Sequence, residues 1–182
     1  MAFPLSLLLM LVIQSIQILS VAADATSINN AIEAASDQLV KLNGTLNTFQ
    51  GGLEGTATAL RILDESSELN DKVNNATNVA VASEALDGDG SASVANSIVL
   101  LSDRVFDVLQ IIILKKPQFD RAILGIGSGS FLVKDSLSKL KISTNDFGDA
   151  VTAKLVNELA DLAPLVISTI NFRFDQALKV YE

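Results

Sequence analysis

The side chains of this sequence that can do chemistry are carboxylates, amines, hydroxyls and one phenol, Tyr181, because the chain has no His, no Cys and no Trp. That inventory excludes Ser-His and Cys-His nucleophile pairs, thiolates, and the imidazole and sulfur ligands of zinc, copper and haem sites. Paired carboxylates remain, and such pairs can cleave glycosidic bonds. Glu33, Asp37, Glu65, Glu68, Asp71, Asp135 and Asp149, however, stand among Ser, Thr, Asn and Lys, as on solvated helix faces. No side chain buffers near neutral pH. No catalytic residue, metal ligand or cofactor is expected.

Two loops have the outline of ligand cradles. Asp87-Gly88-Asp89-Gly90-Ser91 carries the D-x-D spacing of a calcium loop. Yet Ala92 stands where an EF-hand needs Gly, and Ile98 where it needs Glu. The segment reads instead as a turn into a helix capped by Ser91 or Ser93. Gly125-Ile126-Gly127-Ser128-Gly129-Ser130 approximates a phosphate loop, but no strand precedes it and Ser130 replaces the third glycine. A hinge between helices is expected there.

Charge narrows the partners further. The 13 basic and 21 acidic residues leave a net charge of −8, the wrong sign for phosphate backbones or anionic headgroups, so nucleic acid is not an expected partner. Apolar residues make up 49% of the chain, high for a protein in water. Part of that excess lies at the start. Met1 to Ala23 has no charged side chain and runs through Leu7-Leu8-Leu9-Met10-Leu11-Val12-Ile13 to the small residues Ser20, Val21, Ala22 and Ala23. This is the pattern of a secretory signal over residues 1–22. Gln14, Ser15, Gln17 and Ser20 make it a poor membrane span, so the expected product is secreted, extracellular or in the cell wall, with no stable span after cleavage. In that setting Asn43-Gly44-Thr45 and Asn75-Ala76-Thr77 are N-glycosylation acceptors at Asn43 and Asn75. No Ser/Thr/Pro-rich stalk and no second hydrophobic tail precede Tyr181-Glu182, so a lipid-anchored form is not expected.

The elements that must carry any function are helical. Residues 23–182 suffice for one domain. Ile28, Ile32, Ala35, Leu39, Leu42, Leu46 and Phe49 follow the 4-3 rhythm of one helix face. At Gly51-Gly52 the chain turns back or bends, and Leu53, Ala57, Leu60 and Leu63 open a second helical segment running to about Ala85. Val94, Ile98, Leu101, Val105, Val108 and Ile112 mark a third, ended by Lys115-Lys116-Pro117. Its last turns, Ile111 to Leu114, are apolar all round, as at a deeply buried or ligand-facing helix end. Val133, Leu137, Leu140, Thr144, Phe147 and Val151 mark a fourth. Leu159, Leu162, Val166, Ile170, Phe174, Ala177 and Tyr181 mark a fifth, with Pro164 at a kink or in its first turn. No long run alternates with period two. The fold class is therefore all-α, an antiparallel bundle of four to five long helices.

Such a bundle can use its apolar area in three ways. It can enclose a long lipid: roughly a dozen methylenes at about 0.8 kcal/mol each give on the order of 10 kcal/mol gross. It can lay apolar stripes on a water-repellent solid. It can also simply pack.

Three segments carry a resemblance that bears on this choice: Leu46-Asn47-Thr48-Phe49-Gln50-Gly51-Gly52-Leu53, Lys115-Lys116-Pro117-Gln118-Phe119-Asp120, and Phe174-Asp175-Gln176-Ala177-Leu178-Lys179-Val180-Tyr181. Together they resemble the fungal hydrophobic surface-binding protein A family, which includes the cell-wall galactomannoproteins, over nearly all of residues 23–182. The resemblance implies a secreted, non-enzymatic helical protein whose partners are hydrophobic surfaces or fatty acids. Some members of that family recruit a secreted polyester hydrolase such as cutinase, and others hold fatty acids in an apolar tunnel. The expected lipid or surface contacts are Phe49, Leu53, Leu101, Phe106, Val133, Leu137, Phe147 and Phe174, large apolar residues near helix middles or beside glycine breaks. The sequence specifies no oligomeric state.

Overall fold

The structure is a computed structural model that describes the backbone of residues 5–122 and 129–182, and side chains from residue 24 onward. The side chains of the proposed secretory segment thus lie outside the described residues. So does most of the expected glycine hinge, of which only Gly129 and Ser130 are described. Among the described residues the elements are α1 (Leu5–Thr48), α2 (Thr56–Ala82), α3 (Gly88–Leu114), α4 (Lys116–Asp120), α5 (Gly129–Thr152), α6 (Asn157–Ala160) and α7 (Ala163–Val180). Five are long and two are single turns, an all-α bundle.

Periodicity becomes packing directly. The stripe from Ile28 through Leu46 on α1, with Phe49 just past its end, is buried along its whole length. The chain then reverses through Gly51 and Gly52, at φ of +76° and +71°. That left-handed backbone favours glycine, and at Gly51 a Cβ would also come within 2.5 Å of the Gln118 carbonyl oxygen. Pro164 falls in the first turn of α7, where its missing N–H costs nothing.

The start of α3 differs from the sequence expectation. Asp87, not Ser91 or Ser93, is the N-cap, its carboxylate accepting from the Gly90 N–H at 2.7 Å. The short Asp side chain closes this turn one residue before the glycines. Ser91 is buried and accepts from the Val156 N–H at 3.1 Å, and Ser93 accepts from the Asn29 amide at 2.9 Å, so both hydroxyls tie segments together.

The five long helices close into a ring in the order α1, α2, α5, α7, α3. Cross-links fix their directions. The Asp24–Glu84 and Gln38–Glu65 links set α1 and α2 antiparallel, and the Asn145–Asn171 and Lys141–Asp175 pairs make α5 and α7 antiparallel. The Asn29–Ser93 and Lys115–Phe49 links set α1 parallel to α3. The Ser143–Asn70 and Lys154–Val81 links set α5 parallel to α2, and Arg173 beside Phe106 with Tyr181 beside Ile112 sets α7 parallel to α3. The closure of α7 onto α3 and α5 is thinner than the packing among the other four.

Two lysines terminate helices that are not their own. The Lys115 ammonium donates to the carbonyls of Asn47 and Phe49 at 3.1 and 2.7 Å, just past the end of α1. Lys154 donates to those of Val81 and Ser83 at 3.1 and 2.6 Å, at the end of α2. Each satisfies orphan carbonyls and complements the negative end of a helix dipole.

Candidate functional site: an apolar cavity inside the helix ring

The ring does not pack solid. It encloses a cavity of about 290 Å³ lined from all five long helices and from the link between α5 and α7. Leu39 and Leu42 come from α1, Leu69 and Val73 from α2, Ile98 to Ile112 from α3, Leu137 to Val151 from α5, and Val166 to Phe174 from α7. The α3 lining spans Ala95 to Ile112, about 25 Å of axis at ~1.5 Å per residue. The space is therefore long. An apolar cavity of ~150 Å³ holds one benzene, so this one matches roughly a dozen carbons. Val99 and Leu162 border it while remaining 52% and 59% exposed, which locates its mouth between the first half of α3 and the start of α7.

The lining contains no Asp, Glu, Lys, Arg or Tyr. Its polar side chains are Ser102, Thr144, Asn145 and Thr152. Ser102 and Thr152 donate their hydroxyls back to the Ile98 and Gly148 carbonyls, at 2.8 and 2.7 Å. The Asn145 side-chain oxygen accepts from the Asn171 amide at 2.6 Å. A wall with no charged side chain and few polar ones suits an apolar molecule.

Of the residues expected to contact lipid, Leu101, Leu137, Phe147 and Phe174 line this cavity together. The other four lie elsewhere. Val133 borders a separate small void of about 20 Å³ between α2, α4 and α5. Phe106 stands at the α3–α7 seam with the Arg173 guanidinium 5.5 Å from its ring. Leu53 is 76% exposed in the turn after Gly52. Phe49 is fully buried, its ring 4.6 Å from that of Phe119. Sequence reasoning missed Val99, Val105, Leu109, Thr144, Asn145, Val151, Leu162 and Val166. Several carried the right rhythm, but rhythm marks every inward position and not those that border empty space.

The three landmark segments converge at the other end of the bundle from the mouth. Phe49 stacks near Phe119, Phe119 lies 6.2 Å from Tyr181, and the Tyr181 hydroxyl donates to the Ile112 carbonyl at 2.7 Å. The Lys116 ammonium sits 5.4 Å from the Tyr181 ring and also pairs with Asp120, which accepts from Ser130 at 2.6 Å. Burial, with a smaller contribution from Asp120, pushes the Tyr181 phenol well above its ordinary range, and the hydrogen bonds from Lys116 and Ser130 hold Asp120 below its own. These motifs lock the closed end of the ring. Only Phe174 among their residues reaches the cavity.

Elsewhere among the described residues, no group of three or more metal-ligating side chains comes together, and no helix is long and apolar enough to cross a membrane. The more polar middle of α2 hides Glu65, 1% exposed, with one carboxylate oxygen 2.8 Å from Arg61 and the other without a partner. The Glu65 carbonyl accepts from the buried Gln38 amide at 2.9 Å, so Glu65 packs against α1.

Solved structures share the architecture. The crystal structure of Afmp4p in complex with palmitic acid matches with a TM-score of 0.80 at 25% identity, over 87% of this chain and 99% of that one. Ligand binding domain 2 of Penicillium marneffei MP1 protein, complexed with multiple arachidonic acids, matches at 0.76 and 17% identity, over 86% and 94%. Domain 1 of that protein, complexed with arachidonic acids, matches at 0.77 and 14%, over 87% and 99%. No curated protein sequence matches the chain. The family of hydrophobic surface binding protein A matches residues 25–153, well over half of the sequence. This all-helical chain belongs to the hydrophobic surface binding protein A family.

Proposed function

We propose that this protein binds one long acyl chain inside its helix ring and works by sequestering or presenting it, without catalysis. The observation that carries the reading is the cavity, a void of about 290 Å³ with an almost wholly hydrocarbon wall. A packed bundle tolerates few voids larger than a water molecule, and apolar voids stay dry and bind apolar guests. The relatives of the same fold solved with palmitic and arachidonic acids support it. Leu101, Leu137, Phe147 and Phe174 are the proposed chain contacts. The test is organic extraction of protein purified without detergent, followed by mass spectrometry for a bound acyl chain. A delipidated sample that also fails to take up any C12 to C18 chain would refute the reading.

A second reading, adsorption to water-repellent surfaces, has its own observation. Leu162, Leu165 and Phe172 are all more than half exposed and fall within about 80° of one face of α7 at 100° per residue. Family membership supports this use of apolar surface, and a secreted polyester hydrolase would be the partner met there. The check is depletion of the protein from solution by wax or polyester particles at rising salt. Retention at high salt and loss on Leu165→Ser/Phe172→Ser are expected.

We further infer a secreted glycoprotein. Asn75 is exposed on α2 and Asn43 half-buried on α1, and the Thr45 and Thr77 hydroxyls bond back to the Lys41 and Val73 carbonyls of their own helices. Glycan addition would therefore precede helix formation. Enzymatic deglycosylation of the secreted protein should lower its mass, and Asn43→Gln and Asn75→Gln should each remove one step of that change.

A further inference from the structure

We propose that the cavity selects an uncharged long-chain lipid, such as a fatty alcohol, an alkyl ester or a protonated fatty acid, over an ionised carboxylate. The inference rests on the acyl-chain reading above and adds the chemistry of the head.

A buried carboxylate needs a cation or several donors, since stripping its water without replacement is far costlier than for a neutral hydroxyl or ester. The cavity wall offers no cation at all. It offers one amide NH₂, on Asn145, and one hydroxyl, on Thr144, adjacent in sequence on α5. As helix neighbours about 100° apart they do not converge on one head, so each offers at most one hydrogen bond to an uncharged oxygen.

Leaving the head at the mouth does not rescue an anion. Glu158 and Asp161 flank the lining residues Leu159 and Leu162 and are exposed, and Asp103 lies one turn beyond Val99 on α3. Three cations on the elements around the cavity are otherwise engaged. Lys154 terminates α2, Arg173 sits over the Phe106 ring, and Lys141 pairs with Asp175. Arg104 is exposed about 140° around α3 from Val99 at 100° per residue, on the far side from the mouth. An anionic head there meets acidic neighbours on a chain of net charge −8.

The test uses the full secreted protein, delipidated, and three probes of equal chain length at pH 8: dodecan-1-ol, methyl dodecanoate and dodecanoate. Binding is read by displacement of the neutral fluorophore N-phenyl-1-naphthylamine and confirmed by native mass spectrometry. The alcohol and the ester should bind at least tenfold tighter than the carboxylate. Val99→Lys, at the exposed mouth where the fold tolerates charge, should erase or reverse that ratio, whereas Asn145→Leu, which removes a donor, should weaken the alcohol and the ester together. Equal or tighter binding of dodecanoate to the unaltered protein overturns the proposal while leaving the acyl-chain reading intact. Failure of all three probes and the fluorophore to bind overturns the acyl-chain reading itself.

Discussion

At the residue scale the molecule separates what holds it together from what it offers to a ligand. Phe49, Phe119 and Tyr181 form one aromatic cluster away from the cavity. Phe119→Ala should therefore cost about 3–5 kcal/mol of stability, measured by denaturant unfolding, and leave chain affinity unchanged in the protein that remains folded. Leu137→Asp should do the reverse of a local repair. It places a carboxylate in the hydrocarbon wall and should abolish uptake, with circular dichroism checking that the helices survive. Tyr181 supplies a clean optical probe, being the lone Tyr in a chain without Trp. Its phenol is raised by burial and by Asp120, so folded and unfolded states both keep the proton below pH ~10. Above that the unfolded chain ionises first, and stability is lost as pH rises. The absorbance change at 295 nm should coincide with loss of helical ellipticity. Phenolate appearing in a fully helical protein would contradict the buried placement.

At the element scale, the sequence made the helices legible and left their terminations less so. The 4-3 stripes placed α1, α3, α5 and α7, because burial of one face is what creates the rhythm, whereas in and just before α2 the expected stripe faces solvent at Leu53, Ala57 and Leu60 and the buried face runs through Ala59, Ile62, Leu69 and Val73. The cap at Asp87 and the helix-ending roles of Lys115 and Lys154 depend on partners that are distant or on turn geometry, and no local pattern announces them. The same limit applies to the cavity. Leu101 and Val133 look equivalent on their helices, yet Leu101 borders the main void and Val133 does not. The thinner packing of α7 has a dynamic consequence. Its backbone amides should exchange with solvent faster than those of α1 or α3, and a bound chain should slow them most in Ala163 to Ile170, beside the mouth. Uniform protection across all five long helices, unaltered by ligand, would contradict α7 as the movable wall.

At the scale of the whole molecule, the absence of His, Cys and Trp and the apolar half of the composition are two sides of one design. The chain spends its apolar residues on a ring with a void, and the described wall of that void carries no charged side chain. Ligand binding should accordingly raise thermal stability by mass action, about 2.7 kcal/mol at a free ligand concentration of 100 Kd. The most direct test of this account is native mass spectrometry of the delipidated protein titrated with dodecan-1-ol. The account predicts saturation at one chain per protein, abolished by Leu137→Asp. A spectrum that stays unliganded at saturating alcohol, or that adds chains without a limit and equally to the Leu137→Asp variant, would contradict it.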